Sequence, residues 1–496
     1  MEFSNLYFLY ILLPISLLVY FAIPDVGKKN IVLIVISLLI YGMGQPVYVL
    51  LIALLSFLNY YFALGIRRDD PSSMIIPVAL NILILALFKY LDFFLGIFGL
   101  VSEDGGFLLG LVKNMVKGLN SIGFAFKEPT SVVPLGLSFY TFQVISYMVD
   151  VYREKVKPET SFVNMLLYLT MFPKMLQGPI ARYEQIAPQL TDRKTNPRLI
   201  FEGAQRFIFG LAKKVLLADY AGKVISELAT MNADLSFVGA WLGAIMFTFQ
   251  IYFDFSGYTD MAIGLGKILG FKYPENFDLP YTSTSITEFW RRWHMSLSYF
   301  FRDYVYIPLG GNRKGTGRQI LNMLVVWALT GLWHGASWNF VIWGLYYFAL
   351  LAVEKQIMPL LERIPKAGRV AITMLLTVFG WVIFSHTDMG SLGSSLAAMF
   401  GFGEGGFASA GVGTKLLNTL PLIIVCAIGS SPIPRGIGVV FSSLTGMVGK
   451  RRAGLKIRPK KLVYVFTTFA IMCLLLWLCT VSLVGSTSAP AIYGNF

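Results

Sequence analysis

Charged side chains are scarce in this chain of 496 residues. Asp, Glu, Lys and Arg make up only 14% of it, whereas soluble domains carry about 25%. Hydrophobic residues reach 56%, above the roughly 45–50% of soluble domains. The length alone would suggest several soluble domains, but this composition excludes them and indicates an integral membrane protein.

Cysteine and histidine are rarer still, with three of each. Cys426, Cys473 and Cys479 all lie in apolar runs, which is not the pattern of a disulfide framework, and we interpret them as helix residues. The histidines lack a nearby set of Cys, His or carboxylate ligands, so we expect no metal site and no bound cofactor. GxSxG, Walker A and HExxH sequences are absent, so hydrolases, nucleotide triphosphatases and zinc proteases lack their local signatures.

Acidic residues are outnumbered, 27 against 41 Lys and Arg, which leaves a formal charge of +14. Such a surplus suits nucleic acid, an anionic lipid surface or an acidic ligand. The basic residues stand near the ends of apolar runs, at Lys28/Lys29, Arg67/Arg68 and a cluster between 450 and 461. Since basic residues favour the cytoplasmic side, topology explains most of the surplus, and we expect a lipid bilayer but no nucleic acid as a partner.

The first apolar stretch, Asn5 to Ile23, has neither a basic leader nor a small-residue cleavage site, so we interpret it as a retained span. A full span needs about 20 residues, and several later runs are shorter or more polar. We therefore expect roughly ten to twelve tilted transmembrane and re-entrant helices. The later runs are 31–43, 46–65, 73–98, 107–124, 132–150, 199–219, 236–266, 318–330, 334–353, 368–385, 414–430 and 462–486.

The preference of basic residues for the cytoplasmic side also orients the chain. The first span runs from outside to inside and the last, 462–486, from inside to outside, so both termini are predicted to be extracellular. No internal repeat is evident, which disfavours a transporter built from repeated halves.

Ionisable groups within membrane spans are rare and often functional, and here they gather in the middle third of the chain. Gln250 and Asp254 share one helical face, four residues apart, and Asp260 follows. Two interpretations stay open: the carboxylates tie adjacent helices together, or they contact a reacting group.

The segment from Glu288 to Arg313 is rich in arginine, and guanidinium groups bind phosphate through paired hydrogen bonds. Arginine and tryptophan also anchor helices at the lipid headgroups, so recognition of an anion and anchoring both remain open. The arginines concerned are Arg291, Arg292, Arg302 and Arg313.

His334 lies in an otherwise apolar helix. A lone histidine in such a setting is more often a packed core residue than a catalytic one. A buried neutral imidazole can nevertheless accept a proton, as a general base must. Gly331 and Gly335 leave little bulk beside the ring, so a substrate can approach. His386 follows a span directly and is interpreted as an interfacial polar residue.

Five segments together resemble the membrane-bound O-acyltransferase family, in the order in which that family carries them. Within the family they are most similar to the alginate O-acetyltransferase branch, which is related to the acyltransferase of lipoteichoic-acid D-alanylation. The likeness covers roughly residues 1–385, whereas 386–461 is less typical and ends in a basic cytoplasmic loop. The segments are 134–143, 172–180, 250–260, 288–313 and 331–344.

The resemblance implies an all-α fold, with a ring of tilted helices around a thinned centre and a tunnel through it. It also implies that His334 is the catalytic base and His294 a second, supporting catalytic position, for instance in stabilising an oxyanion. The donor would be acetyl-CoA, or in the related branch a carrier-protein thioester, with its phosphates near the four arginines. Gln250, Asp254, Ser298 and Trp333 would line or support the tunnel.

The last residues, 491–496, partly match the Phe-x-Tyr-x-x-Phe terminus of the small partner peptide in the D-alanylation system. Ala491 stands where the first Phe would be. We expect Tyr493, in the extracellular tail 487–496, to carry an acetyl group to an extracellular SGNH-type transferase within a cell-envelope polysaccharide machinery. A tail without function remains the alternative. A polysaccharide exporter or flippase, with Asp254 and Asp260 along its path, and a scaffold subunit without chemistry also stay open.

Overall fold

The computed structural model describes residues 3–98, 107–123, 126, 133–437 and 459–485. Within these ranges the chain is helical and forms no sheet, which confirms the all-α prediction. The first ten helices are α1 (Leu13–Ala22), α2 (Val26–Gly44), α3 (Pro46–Leu64), α4 (Ser72–Ile97), α5 (Phe107–Ser121), α6 (Leu137–Tyr152), α7 (Phe162–Thr170), α8 (Phe172–Met175), α9 (Tyr183–Thr191) and α10 (Pro197–Ala212). The others are α11 (Asp219–Thr230), α12 (Phe237–Leu269), α13 (Ile286–Arg292), α14 (Met295–Phe301), α15 (Thr316–His334), α16 (Trp338–Leu361), α17 (Lys366–Ser385), α18 (Met389–Met399), α19 (Val412–Gly429) and α20 (Pro459–Val484).

Eight of these helices are long and apolar enough to cross a membrane, so the chain is a multi-pass membrane protein. They are α2, α3, α4, α12, α16, α17, α19 and α20. The other runs counted toward the predicted ten to twelve form shorter or more polar helices: α1, α5, α6, α10 and α15. Tyr493 and the basic residues 450–458 lie outside the described residues.

Helix boundaries follow local chemistry. The Asp25 carboxylate accepts a hydrogen bond from the Lys28 amide at 2.8 Å and caps the start of α2. α3 begins at Pro46, where the missing amide proton costs nothing. α12 ends at Leu269, and the next residue, Gly270, has a φ of 86°, in the left-handed region that glycine adopts without strain.

The long helix α12 packs closely against α10 because glycines face each other across the contact. A Cβ on Gly203 would collide with the backbone of Gly264, and one on Gly210 would collide with the backbone of Gly257. On both helices the two glycines are seven residues apart, so they return to the same face after two turns. Small residues let helix backbones approach in a membrane, where the dispersion forces of close packing replace the hydrophobic effect.

Buried and half-buried ion pairs hold the same region together. Lys214, in a short π-helix at Lys213–Ala218, lies 2.7 Å from the Asp254 carboxylate and 2.9 Å from Asp219. Asp260 lies 2.6 Å from Lys213 and 2.8 Å from Arg206. Both aspartates of α12 therefore tie neighbouring helices together, which supports the structural interpretation of these residues.

Arginines mark one end of the helical bundle, here called the basic end. Arg68 pairs with Glu154 at 2.6 Å between the α3–α4 loop and the end of α6. Arg153 donates to the backbone carbonyl of Asp303 at 3.2 Å, and the Asp303 carboxylate pairs with Arg182. α4 leads away from this end, and its residue Lys89 meets the last turn of α15.

The start of α16 and the end of α17 meet at the opposite end of the bundle. The Asn339 amide donates to the Phe384 carbonyl at 3.0 Å, and the Ser337 hydroxyl donates to the Thr387 carbonyl at 3.2 Å. α15 therefore runs from the basic end to the junction of α16 and α17.

Replacing Lys214 with Met should destabilise the protein strongly, because the buried carboxylate of Asp254 and the half-buried one of Asp219 lose their counter-charge. The cost of breaking such a buried pair is about 3–5 kcal/mol. Thermal unfolding of the detergent-solubilised protein measures it, with Lys223→Met, at an exposed position of α11, as the control. Equal unfolding temperatures for the two variants would contradict the structural role of this cluster.

Candidate active site

His334 is the last residue of α15, and its side chain is buried among aromatic rings. The ring centroids of Trp333, Trp343 and Phe384 lie 4.7, 4.9 and 5.1 Å from that of His334. Bulk water is therefore excluded from most of the imidazole surface. This setting fits the predicted base, which works best in a dry, preorganised site.

The neighbouring glycines serve packing rather than access. A Cβ on Gly335 would collide with the Phe340 ring, and one on Gly331 would collide with the Phe340 carbonyl oxygen and touch the backbone of Gly344. The expectation that these glycines leave an open wall beside His334 is therefore wrong, since α16 fills that space.

The carbonyls just before His334 are fixed by side chains from α4. The Lys89 ammonium donates to the Trp333 carbonyl, and the Tyr90 hydroxyl donates to the Leu332 carbonyl. The last carbonyls of a helix have no partner within it, and a cation there also interacts favourably with the helix dipole. Lys89 and Tyr90 thus hold the turn that carries His334. Sequence reasoning missed both residues, although a lysine inside the apolar run 73–98 was a visible signal.

His294 precedes α14 with a φ of 44°, a left-handed conformation that is uncommon outside glycine. The side chain of Asn276 holds this turn: its Oδ1 accepts from the Ser296 amide at 3.1 Å and from the Ser296 hydroxyl at 2.9 Å. The same oxygen lies 3.1 Å from Nδ1 of His294. The sequence offered no direct signal for Asn276, which stands in a non-helical segment between two motifs.

The bond to Asn276 assigns the tautomer of His294. The backbone N–H of Ser296 donates a hydrogen bond to Oδ1 of Asn276, which identifies this oxygen as an acceptor. Nδ1 of His294, which contacts the same oxygen, must therefore carry the proton. Nε2 of the neutral ring then carries a lone pair. This nitrogen is buried and has no hydrogen-bond partner among the described residues.

Trp333 contacts both histidines. Its ring centroid lies 4.7 Å from that of His334 and 5.9 Å from that of His294. On its other faces it packs against Phe139 and Phe142, and Lys89 lies over its ring. Trp333 therefore supports both imidazoles from behind.

Both histidines line one cavity of about 590 Å³, here called the histidine cavity. One wall is a face of α15 that carries Met323, Trp327, Thr330 and His334. These residues span eleven positions, or about 16 Å of helix. The opposite wall comes from α13 and α14, and includes Trp290, Trp293, His294, Leu297 and Ser298.

The predicted arginines separate into two groups. Arg291 and Arg302 are exposed and line the histidine cavity, while Arg292 pairs with Glu288 at 2.6 Å and Arg313 lies in the turn before α15, away from the cavity lining. Arg302 also pairs with Asp303 at 2.6 Å, next to the residues that define the basic end. The cavity therefore runs from exposed cations near the basic end to the buried imidazole of His334.

The predicted tunnel residues also divide. The Ser298 hydroxyl lines the histidine cavity and donates to the Trp290 carbonyl at 3.0 Å. Gln250 and Asp254 share a face, as predicted, but that face meets Gly222 and Lys214 and is not part of the cavity lining. His386 also lies elsewhere, hydrogen-bonded to Ser385 and Ser395.

Sequence comparison with known proteins finds one matching family model and several relatives of this chain. Residues 151–389 match the model of the membrane-bound O-acyltransferase family, MBOAT. A probable alginate O-acetylase, AlgI, of Pseudomonas putida is 38% identical over 82% of this chain and 81% of its own length, and that of Azotobacter vinelandii is 36% identical over 82% and 79%. A peptidoglycan O-acetyltransferase of Helicobacter pylori is 33% identical over 80% of each chain.

Replacing Asn276 with Ala should destabilise the turn at His294, because three buried donors lose their acceptor. Each unsatisfied donor costs about 1–3 kcal/mol. The free energy of unfolding of the solubilised protein is the measurement, and Asn312→Ala, at an exposed position, is the matched control. A variant as stable as this control would show that Asn276 does not hold the turn.

Proposed function

The chain belongs to the membrane-bound O-acyltransferase family and is an O-acyltransferase, and from this premise we propose that it moves an acetyl group from a cytoplasmic thioester across the membrane for O-acetylation of an extracellular polysaccharide. The observation that carries this proposal is the histidine cavity, which joins two exposed arginines to two buried histidines. The names of the alginate and peptidoglycan relatives support a cell-envelope polymer as the final acceptor.

The proposed orientation puts the basic end in the cytoplasm of a bacterial inner membrane, in line with the preference of Lys and Arg for that side. Arg291 and Arg302 would then stand where a cytoplasmic donor enters. The phosphates of acetyl-CoA suit such guanidinium groups, and a carrier-protein thioester has a phosphate on the same kind of arm. The arm would extend along α15, so that the thioester carbonyl reaches the imidazoles.

In the proposed reaction, His334 accepts the proton of an acceptor hydroxyl as its oxygen attacks the thioester carbonyl. The tetrahedral intermediate then collapses, the C–S bond breaks, and the leaving thiolate takes the proton from His334. The products are an acetyl ester and a free thiol. Exclusion of water by Trp333, Trp343 and Phe384 protects the thioester from hydrolysis.

His294 has a different part in this proposal. Its Nδ1 proton is engaged with Asn276, so its Nε2 offers a lone pair to the cavity. We assign it the role of orienting a hydroxyl or thiol by accepting its hydrogen bond. The role in oxyanion stabilisation suggested by the family resemblance would require a protonated ring.

The final acceptor is too large for a buried cavity, so we propose that Tyr493 takes the acetyl group and passes it to an extracellular SGNH-type transferase. Tyr493 lies outside the described residues, and its partial sequence motif and predicted extracellular location support this role.

Replacing His334 with Ala should abolish acetylation of the polymer, with a loss of at least about 100-fold expected from removal of a general base. Acetyl content of the secreted polymer is measured together with the amount of inserted protein and of polymer. Under the exporter alternative this variant would affect secretion only through the stability of the protein, and unchanged acetylation would rule out His334 as the base.

Replacing Arg291 and Arg302 together with Ala should raise the KM for acetyl-CoA about tenfold or more, since two phosphate contacts are lost. The kcat should change less, because the histidines stay in place. Arg313→Ala is the matched control, as that arginine does not line the cavity. Equal KM values for the double variant and the control would refute donor binding at this mouth.

Replacing Tyr493 with Phe should leave the protein inserted and acetyl-CoA bound, but stop acetylation of the polymer, because the phenolic oxygen that carries the acetyl group is missing. Tyr220→Phe, at an exposed tyrosine, controls for the substitution. Normal acetylation in cells that carry the Tyr493 variant would exclude the relay.

A further inference from the structure

A second cluster with the chemistry of acyl transfer lies on the other side of α17 from the histidine cavity. A pocket of about 370 Å³, here called the Ser395 pocket, opens among α11, α12, α17 and α18. This volume falls in the lower range for small-molecule sites. Its polar lining residues are Ser226, Asp234, Gln250, Ser385, His386 and Ser395.

Ser395 and His386 form a hydrogen-bonded pair within this pocket. The Ser395 hydroxyl lies 2.8 Å from Nε2 of His386, within the range of a nucleophile and its base. The serine is half-buried on α18, so its oxygen is reachable from the pocket.

Backbone geometry fixes the direction of this hydrogen bond. Nδ1 of His386 lies 2.9 Å from the Val382 carbonyl, which can only accept, so Nδ1 carries the proton. The Ser385 hydroxyl donates to the same carbonyl at 3.0 Å, and its oxygen lies 2.9 Å from Nδ1. Nε2 is therefore the acceptor and Ser395 the donor. A serine, a histidine base and a third group that orients the base are the parts of an activated nucleophile.

α17 is the wall between the two sites. Its residues Trp381 and Phe384 pack in the aromatic cluster around His334, and the centroid of Phe384 lies 5.1 Å from that of His334. Val382 and Ser385 of the same turns line the Ser395 pocket. The pocket lies at the end of α17 away from the basic end, where α16 begins and α17 ends.

The lining also indicates which ligands fit. Hydroxyl, amide and imidazole groups surround the space, with one carboxylate from Asp234, and no Lys or Arg is among the described lining residues. Such a surface suits a neutral ligand with hydroxyl groups, and disfavours a CoA phosphate or an anionic polymer segment. An acyl ester of an alcohol, or the alcohol that receives the acyl group, has this chemistry.

We propose that Ser395 is a second acyl-transfer nucleophile, activated by His386, which takes acetyl from an activated ester on the far side of α17. The Ser395 oxygen attacks the ester carbonyl and its proton passes to Nε2 of His386. The ester C–O bond breaks, and the departing alcohol takes that proton. A second alcohol then attacks the carbonyl of the acetyl-serine, and its proton passes to Nε2 of His386. The bond from the carbonyl carbon to the Ser395 oxygen breaks, Ser395 takes the proton back, and the second alcohol leaves as its acetyl ester.

The test uses p-nitrophenyl acetate with the full-length protein in detergent micelles, so that neither acetyl-CoA nor a polymer is needed. We expect a burst of p-nitrophenol of about one equivalent, and an acetyl group on the peptide that contains Ser395, identified by mass spectrometry. Ser395→Ala should lose both signals, and His386→Gln should slow the burst at least about 100-fold. Ser394→Ala, at the exposed neighbouring serine of the same helix, should behave as wild type.

Burst and label should persist in His334→Ala, which separates this site from the histidine cavity. Loss in that variant would overturn the assignment, because the acetyl group would then come from the first site. Absence of acetyl on Ser395 in wild type would overturn it too, and would leave the pair as a connection between α17 and α18. Unfolding temperatures of all variants test whether misfolding is the cause of a lost burst. The burst and the label on Ser395 do not depend on the proposed function, so they would persist if that proposal failed.

Discussion

A polar group buried within a membrane must find its partner in the protein, since lipid offers none. The Lys214 ammonium meets two carboxylates, the Asn276 side chain collects three donors, and Lys89 and Tyr90 complete the end of α15. Except for Lys214 with Asp219, these partners come from different segments of the chain, so the partnerships also fix which helices are neighbours. The geometry around the two histidines depends on this pairing.

The same constraint separates an enzyme from an exporter in this chain. A path for a polar polymer needs polar side chains that are available to the polymer along its length. Asp254 and Asp260 of α12 are instead held in ion pairs with neighbouring segments. The histidine cavity is instead lined by two exposed arginines and by two buried imidazoles, of which that of His334 is surrounded by aromatic rings. Such a site suits a small, charged donor with an apolar reactive end, and not the passage of a chain of sugars.

Much of this could be predicted from the sequence, because the membrane makes each polar residue conspicuous. The apolar runs marked every long helix in the described part of the chain, and His334, His294 and Ser298 were singled out by scarcity and by the family resemblance. Which of the predicted ten to twelve transmembrane and re-entrant helices cross the membrane fully could not be read from the sequence, since apolar runs such as those of α6 and α15 can also be buried inside the bundle.

What the sequence could not give was the identity of contacts between distant residues. Asn276 looks ordinary in a loop, and only the fold brings it beneath His294. Gly331 and Gly335 suggested open space, but the residue that fills it, Phe340, approaches from the next helix. The pairing of Ser395 with His386 likewise depends on how α18 turns back onto α17, which no local pattern specifies.

The dry surroundings of His334 also limit what its acceptor can be. In the proposed reaction the thioester survives beside the base only if water is kept out, and a cavity of about 590 Å³ that also held the end of the proposed donor would have no space for a polymer. The hydroxyl that the proposed reaction brings to His334 would therefore belong to something slender, such as a single side chain on a flexible segment. Protecting the donor from water and acetylating a large extracellular polymer are incompatible within one site, so the proposed reaction requires an intermediate acceptor that carries the acetyl group onward.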